Sequence, residues 1–134
     1  MSSAAYAQRA GKAHALTTAG EAALLALAGF TRSHGATVVS PTAPLWAFVL
    51  LRATRACTVT AIKGRRTAGT GATINARRNG AETFLASDLS LTTETVTDGG
   101  TVQNAALAIG DTIEIGILTV EGSPTSIAIQ VETT

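Results

Sequence analysis

The sequence predicts a mainly β protein: one β-sandwich or jelly-roll-like domain with a short N-terminal helical arm. Hydrophobic residues make up 46% of the 134 residues and charged residues 14%, which excludes a disordered chain and allows a buried core. Thr, Val and Ile recur through the later part of the chain, and 13 glycines interrupt it. About seven or eight short apolar runs alternate with turn signals, which is the pattern of a β-sandwich.

The N-terminal arm is predicted over residues 1–35, and the sandwich domain over 36–134. Thr18 and Glu21 fit a capping box, and leucines follow at helical spacing until Gly29, a plausible C-terminal stop. A helix of about ten residues does not persist alone, so we expect it to dock on its own domain or on a neighbouring subunit. The apolar side chains that this arm offers for assembly are Leu24, Leu25, Leu27 and Phe30.

The strands follow in order along the remaining chain. They are predicted in residues 36–40, 45–52, 56–63, 72–78, 83–96, 101–109, 112–120 and 126–132. The run LWAFVLLR at 45–52 is almost continuously apolar, which predicts a strand buried on both faces. The other main runs alternate, which predicts that one face of each points inward. The predicted inward residues are Cys57, Val59, Ala61, Ala72, Ile74, Ala76, Ile113, Ile115, Ile117, Ile127, Ile129 and Val131.

Turn chemistry separates these strands. Asn79 and Gly80 form the preferred pair for a two-residue type I′ hairpin, because both central residues need positive φ. Residues 97–101 read as a turn. Gly110 and Asp111 reverse the chain again, and the Asp111 side chain can bond the backbone and fix the turn.

Charge is divided unevenly along the chain. All ten Lys and Arg residues lie at or before Arg78, and every acid except Glu21 lies at or after Glu82. Such asymmetry indicates an electrostatic partner, which could be a second copy of this chain.

Antiparallel strands would sort the basic residues into two groups. Arg52, Arg55, Arg77 and Arg78 would lie at one end of the sandwich, and Lys63, Arg65 and Arg66 at the other. Two small groups differ from the single basic face of a nucleic-acid binder, which argues against direct nucleic-acid binding. Solvated turns and salt bridges to an acidic surface, including that of another subunit, both stay open.

No catalytic or cofactor-binding set is predicted, and we expect the protein not to be an enzyme. The stretch 64–71, GRRTAGTG, has Thr70 where a phosphate-binding loop needs Lys, and a strand follows where a helix is needed. His14 and His34 are interpreted as surface residues, without the Cys or Ser partners of a metal site or a nucleophile elbow. Cys57 is interpreted as a small buried hydrophobe.

Export and membrane signals are weak. Residues 22–30, AALLALAGF, are short and apolar, but Glu21 abuts them and the run begins late for a signal peptide. No stretch approaches the roughly 20 apolar residues that span a bilayer. We therefore expect a protein without a signal peptide and without a membrane partner.

The stretch from about Thr58 to Val131 resembles β-sandwich modules of tailed-bacteriophage virion proteins. The features that carry the resemblance are VTAIKG, INARRNG, SDLSLT and LAIGDTIEIGIL. Such modules serve as head decoration, head fibre, collar or tail attachment proteins. The resemblance implies a non-enzymatic homo-oligomer, assembled in the host cytoplasm, that docks through its N-terminal arm on copies of itself and on a capsid or tail protein.

The alternative is a carbohydrate- or receptor-binding sandwich of a tail fibre or adhesin. Such sites present aromatic platforms, whereas this chain has one Trp, one Tyr and three Phe. Because Trp46 and Phe48 lie in the most apolar predicted strand, the sequence favours the structural role.

Overall fold

The computed structural model describes residues 30–134, and these residues form two five-stranded sheets with no helix. The predicted mainly β sandwich is therefore confirmed. The strands are β1 (Arg32–Val39), β2 (Leu45–Arg52), β3 (Cys57–Thr67), β4 (Gly71–Arg78), β5 (Glu82–Thr83), β6 (Leu89–Ser90), β7 (Thr97–Asp98), β8 (Ala106–Leu107), β9 (Thr112–Glu121) and β10 (Ser126–Thr133).

Each sheet is built from strands that are distant in sequence. The first sheet has the order β1-β10-β3-β7, with β8 also paired to β3. The second has the order β2-β9-β4-β5, with β6 also paired to β4. All pairings are antiparallel. Successive long strands β1 to β4 alternate between the sheets, so neighbours in sequence face each other across the core.

The core lies between the sheets and is mainly aliphatic, with the aromatic ring of Phe84 fully buried in it. Each long strand contributes its inward face, and the connections add Phe84, Leu85 and Leu91. Full burial of each large aliphatic side chain stabilises the folded state by about 1.5–3 kcal/mol. The predicted inward residues of β4, β9 and β10 are all buried: Ala72, Ile74, Ala76, Ile113, Ile115, Ile117, Ile127, Ile129 and Val131.

A β-bulge changes the inward face of β3. Ala61 pairs with Glu132, whereas Val59 pairs with Thr133, so Thr60 is an extra residue without a partner. Val59 faces the core before the bulge and Ile62 faces it afterwards. The prediction that Ala61 shares the inward face was therefore wrong: Ala61 is buried, but outside the core cluster. Cys57 packs against the core only half-buried.

Strand β2 is an edge strand, which corrects the prediction of a strand buried on both faces. Its only hydrogen-bonded neighbour in the described chain is β9, and the pairing shifts register twice, after Trp46 and after Val49. Leu45 and Leu51 are half-buried, while Val49 is 51% exposed. A continuous apolar run was therefore a sign of a strand with an apolar outer face, not of complete burial.

The predicted arm mostly lies outside the described residues, and with it the helix and Leu24, Leu25 and Leu27. Strand β1 begins at Arg32, so residues 32–35, assigned to the arm, are strand residues. Residues 82–109 form four two-residue strands joined by loops, in place of the longer strands predicted over 83–96 and 101–109. The predicted turn at 97–101 includes β7. Within residues 30–134 no helix could span a bilayer.

Candidate functional site

Five arginines lie at one end of the sandwich. Arg52 ends β2 opposite Thr112, and Arg78 ends β4 opposite Ile113, because β9 begins between these two strands. Arg55 follows in the connection to β3, and Arg77 precedes Arg78. The predicted grouping of Arg52, Arg55, Arg77 and Arg78 is thus observed. Arg32 joins them because β1 starts at this end.

The outer face of the second sheet carries a stacked pair of residues beside this end. The guanidinium carbon of Arg77 lies 4.0 Å from the centroid of the Trp46 ring, within cation–π range. Arg77 Nε also donates to Glu114 Oε2 at 2.6 Å. Trp46 is half-buried. The sequence did not predict that Trp46 lies on an outer face, because the residues around it are apolar and indicated a strand buried on both faces.

Gly116 makes room for the Trp46 ring. A Cβ atom at this position would lie 2.5 Å from Cε3 and from Cζ3 of the indole, closer than any unstrained contact. Gly116 is paired with Trp46 across β2 and β9. The glycine inside a predicted strand therefore indicates a side chain resting on the backbone.

Arg78 is held at the hairpin that follows it. Its Nε donates to Glu82 Oε2 at 2.6 Å, and Nη2 contacts the same oxygen. Nη1 donates to the carbonyl oxygen of Ala106 at 2.7 Å. Arg78 therefore connects the hairpin to the first residue of β8.

The charge asymmetry is neutralised in part within one chain. The three ion pairs of the described chain each join a base from before residue 79 to an acid from after residue 81. The third pair places Lys63 Nζ 2.8 Å from Glu132 Oε1, and this hydrogen bond raises the pKa of Lys63. Contacts of Arg77 and Arg78 with another subunit stay a prediction.

The two predicted turns at this end are joined by a hydrogen bond between the side chains of Asn79 and Asp111. Asn79 and Gly80 have φ of 51° and 71°, and the Ala81 N–H donates to the Arg78 carbonyl at 3.0 Å. Gly110 has φ of 90°, and Asp111 Oδ2 accepts from the Ala108 N–H at 2.9 Å, as predicted for a turn-fixing aspartate. The paired strands resume at Arg78 and Glu82, so the hairpin loop has three residues and the prediction of a two-residue loop was wrong, although both Asn79 and Gly80 have the predicted positive φ.

Arg66 is a buried cation that the sequence did not distinguish from its neighbours. It is 4% exposed and points inward because the β3 bulge reverses the alternation. Its guanidinium donates to four backbone carbonyls at 2.6–3.1 Å, those of Ala68, Gly69, Leu91 and Thr92. Arg65, on the outward face, donates to the Glu94 carbonyl at 2.9 Å. Arg66 thus ties the turn after β3 to the loop after β6.

Asn75 is a second buried polar residue, 1% exposed, that completes an interrupted strand pairing. Strands β5 and β6 both pair with β4, and the chain between them leaves the sheet beside Asn75. The Asn75 amide donates to the Leu85 carbonyl at 3.1 Å and to Asp88 at 2.9 Å. Its oxygen accepts from the Leu85 N–H at 3.2 Å. No buried side-chain polar atom of the described residues lacks a partner.

Among the described residues, no group of three His, Cys, Asp or Glu could hold a metal ion. The stretch 64–71 ends β3, turns at Ala68 and Gly69, and enters β4, so a strand follows this loop as predicted.

His34 differs from its prediction: it is half-buried within β1, and its Nε2 lies 3.3 Å from Thr133 Oγ1. His14 lies outside the described residues. Phe30, offered by the predicted arm, is 60% exposed.

No family model and no curated protein matches this chain. Among solved structures, it is similar to one described as Bacillus endospore appendages that form a novel family of disulfide-linked pili. The two are 9% identical, with a TM-score of 0.42, over 78% of this chain and 87% of that chain. A likeness this weak carries no argument about function.

Proposed function

We propose that this protein is a structural subunit that assembles with copies of itself in a multi-subunit particle. The observation that carries the proposal is the apolar edge strand β2, which pairs on one side only within the described chain. The virion of a tailed bacteriophage is the particle that the sequence resemblance favours, with a capsid or tail protein as a further partner.

The β2 margin has the composition of a surface that another molecule covers. Soluble monomers usually protect an edge strand with charged residues, proline or an irregular backbone, and of these β2 has only the irregular backbone, at its two register shifts. Strand β2 carries no charge before Arg52, and Val49 is 51% exposed on its outer face. Val39, at the end of β1, is 75% exposed, and β1 is an edge of the other sheet. The second sheet therefore has an apolar edge strand, and the first sheet adds one exposed apolar side chain at the end of a mainly polar edge strand.

Apolar contact, and not the charge asymmetry, is the main support for assembly. Arg77 and Arg78 already pair with Glu114 and Glu82 of the same chain. Exposed ion pairs contribute less than about 1 kcal/mol each, whereas stable interfaces exclude water from apolar residues. Arg52 and Arg55 form no ion pair within residues 30–134 and are the better candidates for a charged contact.

The test compares Val49→Lys with Val96→Lys by sedimentation over a range of protein concentrations. Val96 is the matched control, because it is also exposed, at 62%, but lies away from β2. It precedes β7, which forms the edge of the first sheet that is farther from β1. We expect the unchanged protein and Val96→Lys to form the same oligomer, and Val49→Lys to dissociate. A monomeric unchanged protein, or equal dissociation of both variants, would contradict the proposal.

The role of the N-terminal segment needs a deletion that spares the first strand. Because β1 begins at Arg32, the deletion should remove residues 1–29 and not 1–35. We expect the shortened chain to keep the circular dichroism spectrum of a β-sandwich and to assemble more weakly. Unfolding of the shortened chain would assign the segment to the core and contradict its role as an assembly arm.

A second candidate is binding of a carbohydrate, and one observation favours it. Trp46 lies half-buried on the outer face of the second sheet, where an indole can stack against a sugar ring. Arg77 already lies over this ring, so a sugar would have to displace it. Trp46 is the only Trp, and its fluorescence should change on binding in a screen of glycans. A panel without any change would remove this candidate.

A further inference from the structure

A small cleft opens between the two sheets at the end of the sandwich where the arginines lie. Its volume is about 50 Å³, and strands β1, β2, β3 and β10 and the connection from β2 to β3 contribute to its wall. The polar residues that line it are Arg32, His34, Thr54, Arg55, Cys57 and Thr133. The space is that of one or two water molecules, so it fits a single small polar group.

The charges that line the cleft have one sign. Arg32 and Arg55 are cations, and none of the lining residues is acidic. Within residues 30–134, neither arginine forms an ion pair. The other cations of this part are held by partners, except Arg52: three lie in ion pairs, and Arg65 and Arg66 donate to carbonyl oxygens. Unpaired positive charge is therefore concentrated here.

The partial burial of Arg55 makes this arrangement costly without an anion. Arg55 and His34 are half-buried and Thr133 is 3% exposed, while Arg32 is exposed beside them. Partial burial of an unpaired guanidinium removes water from a charged group, and a second cation nearby adds repulsion. An oxyanion compensates both effects, because guanidinium groups donate paired hydrogen bonds to carboxylate and phosphate oxygens.

The neutral groups of the cleft are also suited to an anion. Thr133 Oγ1 and His34 Nε2 lie 3.3 Å apart, and either can donate to the other. This contact orients the imidazole and the hydroxyl at the wall of the cleft. Thr54, from the connection that carries Arg55, also lines the cleft. Residues with hydroxyl and guanidinium groups from three chain segments therefore line one small space.

We propose that this cleft binds a small oxyanion, with Arg32 and Arg55 as the charged ligands and Thr54 and Thr133 as hydroxyl donors. The anion is a phosphate or carboxylate group. It closes the end of the sandwich by joining β1 to the connection between β2 and β3. The cleft shares Leu51 and Arg55 with the surface proposed for assembly, but Val49, the residue that tests assembly, lies outside it.

The test measures thermal unfolding of the full chain in sodium phosphate, sodium acetate and sodium chloride at equal ionic strength. Phosphate at about ten times its Kd favours the folded state by about tenfold, which raises Tm by roughly 4 °C in a domain of this size. We expect a saturable rise with phosphate or acetate and none with chloride. The anion that gives the larger rise in Tm shows whether the cleft prefers a phosphate or a carboxylate group.

Three variants locate the site. Arg32→Gln and Arg55→Gln should abolish the rise, while Arg52→Gln, at the same end but outside the cleft, should keep it. The His34 ring signals in NMR should shift with the same saturation as Tm. Equal loss in Arg52→Gln would mean that diffuse charge attracts the anion, and an absent or unsaturable rise would mean that no site exists. Either result overturns the proposal, and neither bears on the assembly test with Val49→Lys.

Discussion

Asn79 Nδ2 donates a hydrogen bond to Asp111 Oδ1 at 3.0 Å, and this contact joins two turns that are 32 residues apart. The Asn79 oxygen also accepts from the Thr112 N–H at 2.9 Å, and the Asn79 N–H donates to the Thr112 carbonyl at 3.0 Å. Asn79 therefore adopts the positive φ that its own turn requires, and its side-chain amide holds the first residue of β9 by a hydrogen bond.

Replacement of Asn79 by Gly separates these two roles. Asn79→Gly keeps a residue that tolerates positive φ, but it removes the amide, so we expect a loss of about 1 kcal/mol in the free energy of unfolding. Urea denaturation measures this loss. Ser123→Gly is the control, because Ser123 has a φ of 53° and no side-chain hydrogen bond in the described part of the chain. This variant measures the cost of the extra flexibility that Gly gives to the unfolded chain. Equal losses in both variants would show that the amide contributes nothing.

Asp111 should make stability depend on acid pH. The Asn79 amide, and then the Ala108 N–H, lower the pKa of Asp111 below its ordinary value of 3.8. Its contribution is therefore present above the unfolded pKa and is lost as the pH falls through the lower folded pKa. The separation between the urea titrations of the unchanged protein and Asp111→Asn should therefore narrow as the pH falls below 3.8. A separation that stays constant through the acid range below this value would contradict this account.

A methyl group at position 116 should displace the indole of Trp46. Gly116→Ala places Cβ where Cε3 and Cζ3 now lie, so Trp46 must leave the sheet or the strands must move apart. We expect a red-shifted fluorescence maximum of this single Trp and a loss of about 1–3 kcal/mol. Gly35→Ala is the control, because its Cβ would meet no atom closer than 3.5 Å. Unchanged fluorescence in Gly116→Ala would refute the close contact.

Loss of the Arg66 guanidinium should destabilise the domain strongly. Arg66→Met leaves the carbonyls of Leu91 and Thr92 without this donor, and we expect a cost of about 3 kcal/mol in urea denaturation. Arg66→Lys should not restore stability, because an ammonium cannot reproduce the planar fork. Arg65→Met, on the outward face, should cost less than about 0.5–1 kcal/mol. Similar costs at both positions would show that Arg66 is not a structural anchor.

Asn75 should be as sensitive as a core residue. Asn75→Ala removes the hydrogen bonds to Leu85 and Asp88 at a site that is 1% exposed, so we expect a loss of about 2–3 kcal/mol. Hydrogen exchange should show faster opening of residues 84–88. Thr73→Ala, on the same strand but with a hydroxyl contact to Thr119 only, is the control. Slow exchange at 84–88 in Asn75→Ala would contradict the bridging role.

The sequence predicted the residues whose role follows from local geometry. Alternation identified the inward isoleucines of β9 and β10, because side chains in an extended strand alternate between two faces. The same rule failed at Ala61, where one extra residue in β3 shifts the alternation, and for β2, where apolar residues lie on an edge. Neither a bulge nor an edge can be recognised without knowing the partner strand.

The sequence by itself determined a mainly β domain, its turns at Asn79 and Asp111, and the grouping of Arg52, Arg55, Arg77 and Arg78 at one end. These depend on the φ that a turn requires and on the alternating directions of antiparallel strands. The tertiary structure decided that Arg77 stacks on Trp46, that Arg66 is buried, and that Arg32 and Arg55 line one cleft. The reason is that these contacts join strands whose pairing follows from the whole core, and no local pattern records which strands become neighbours.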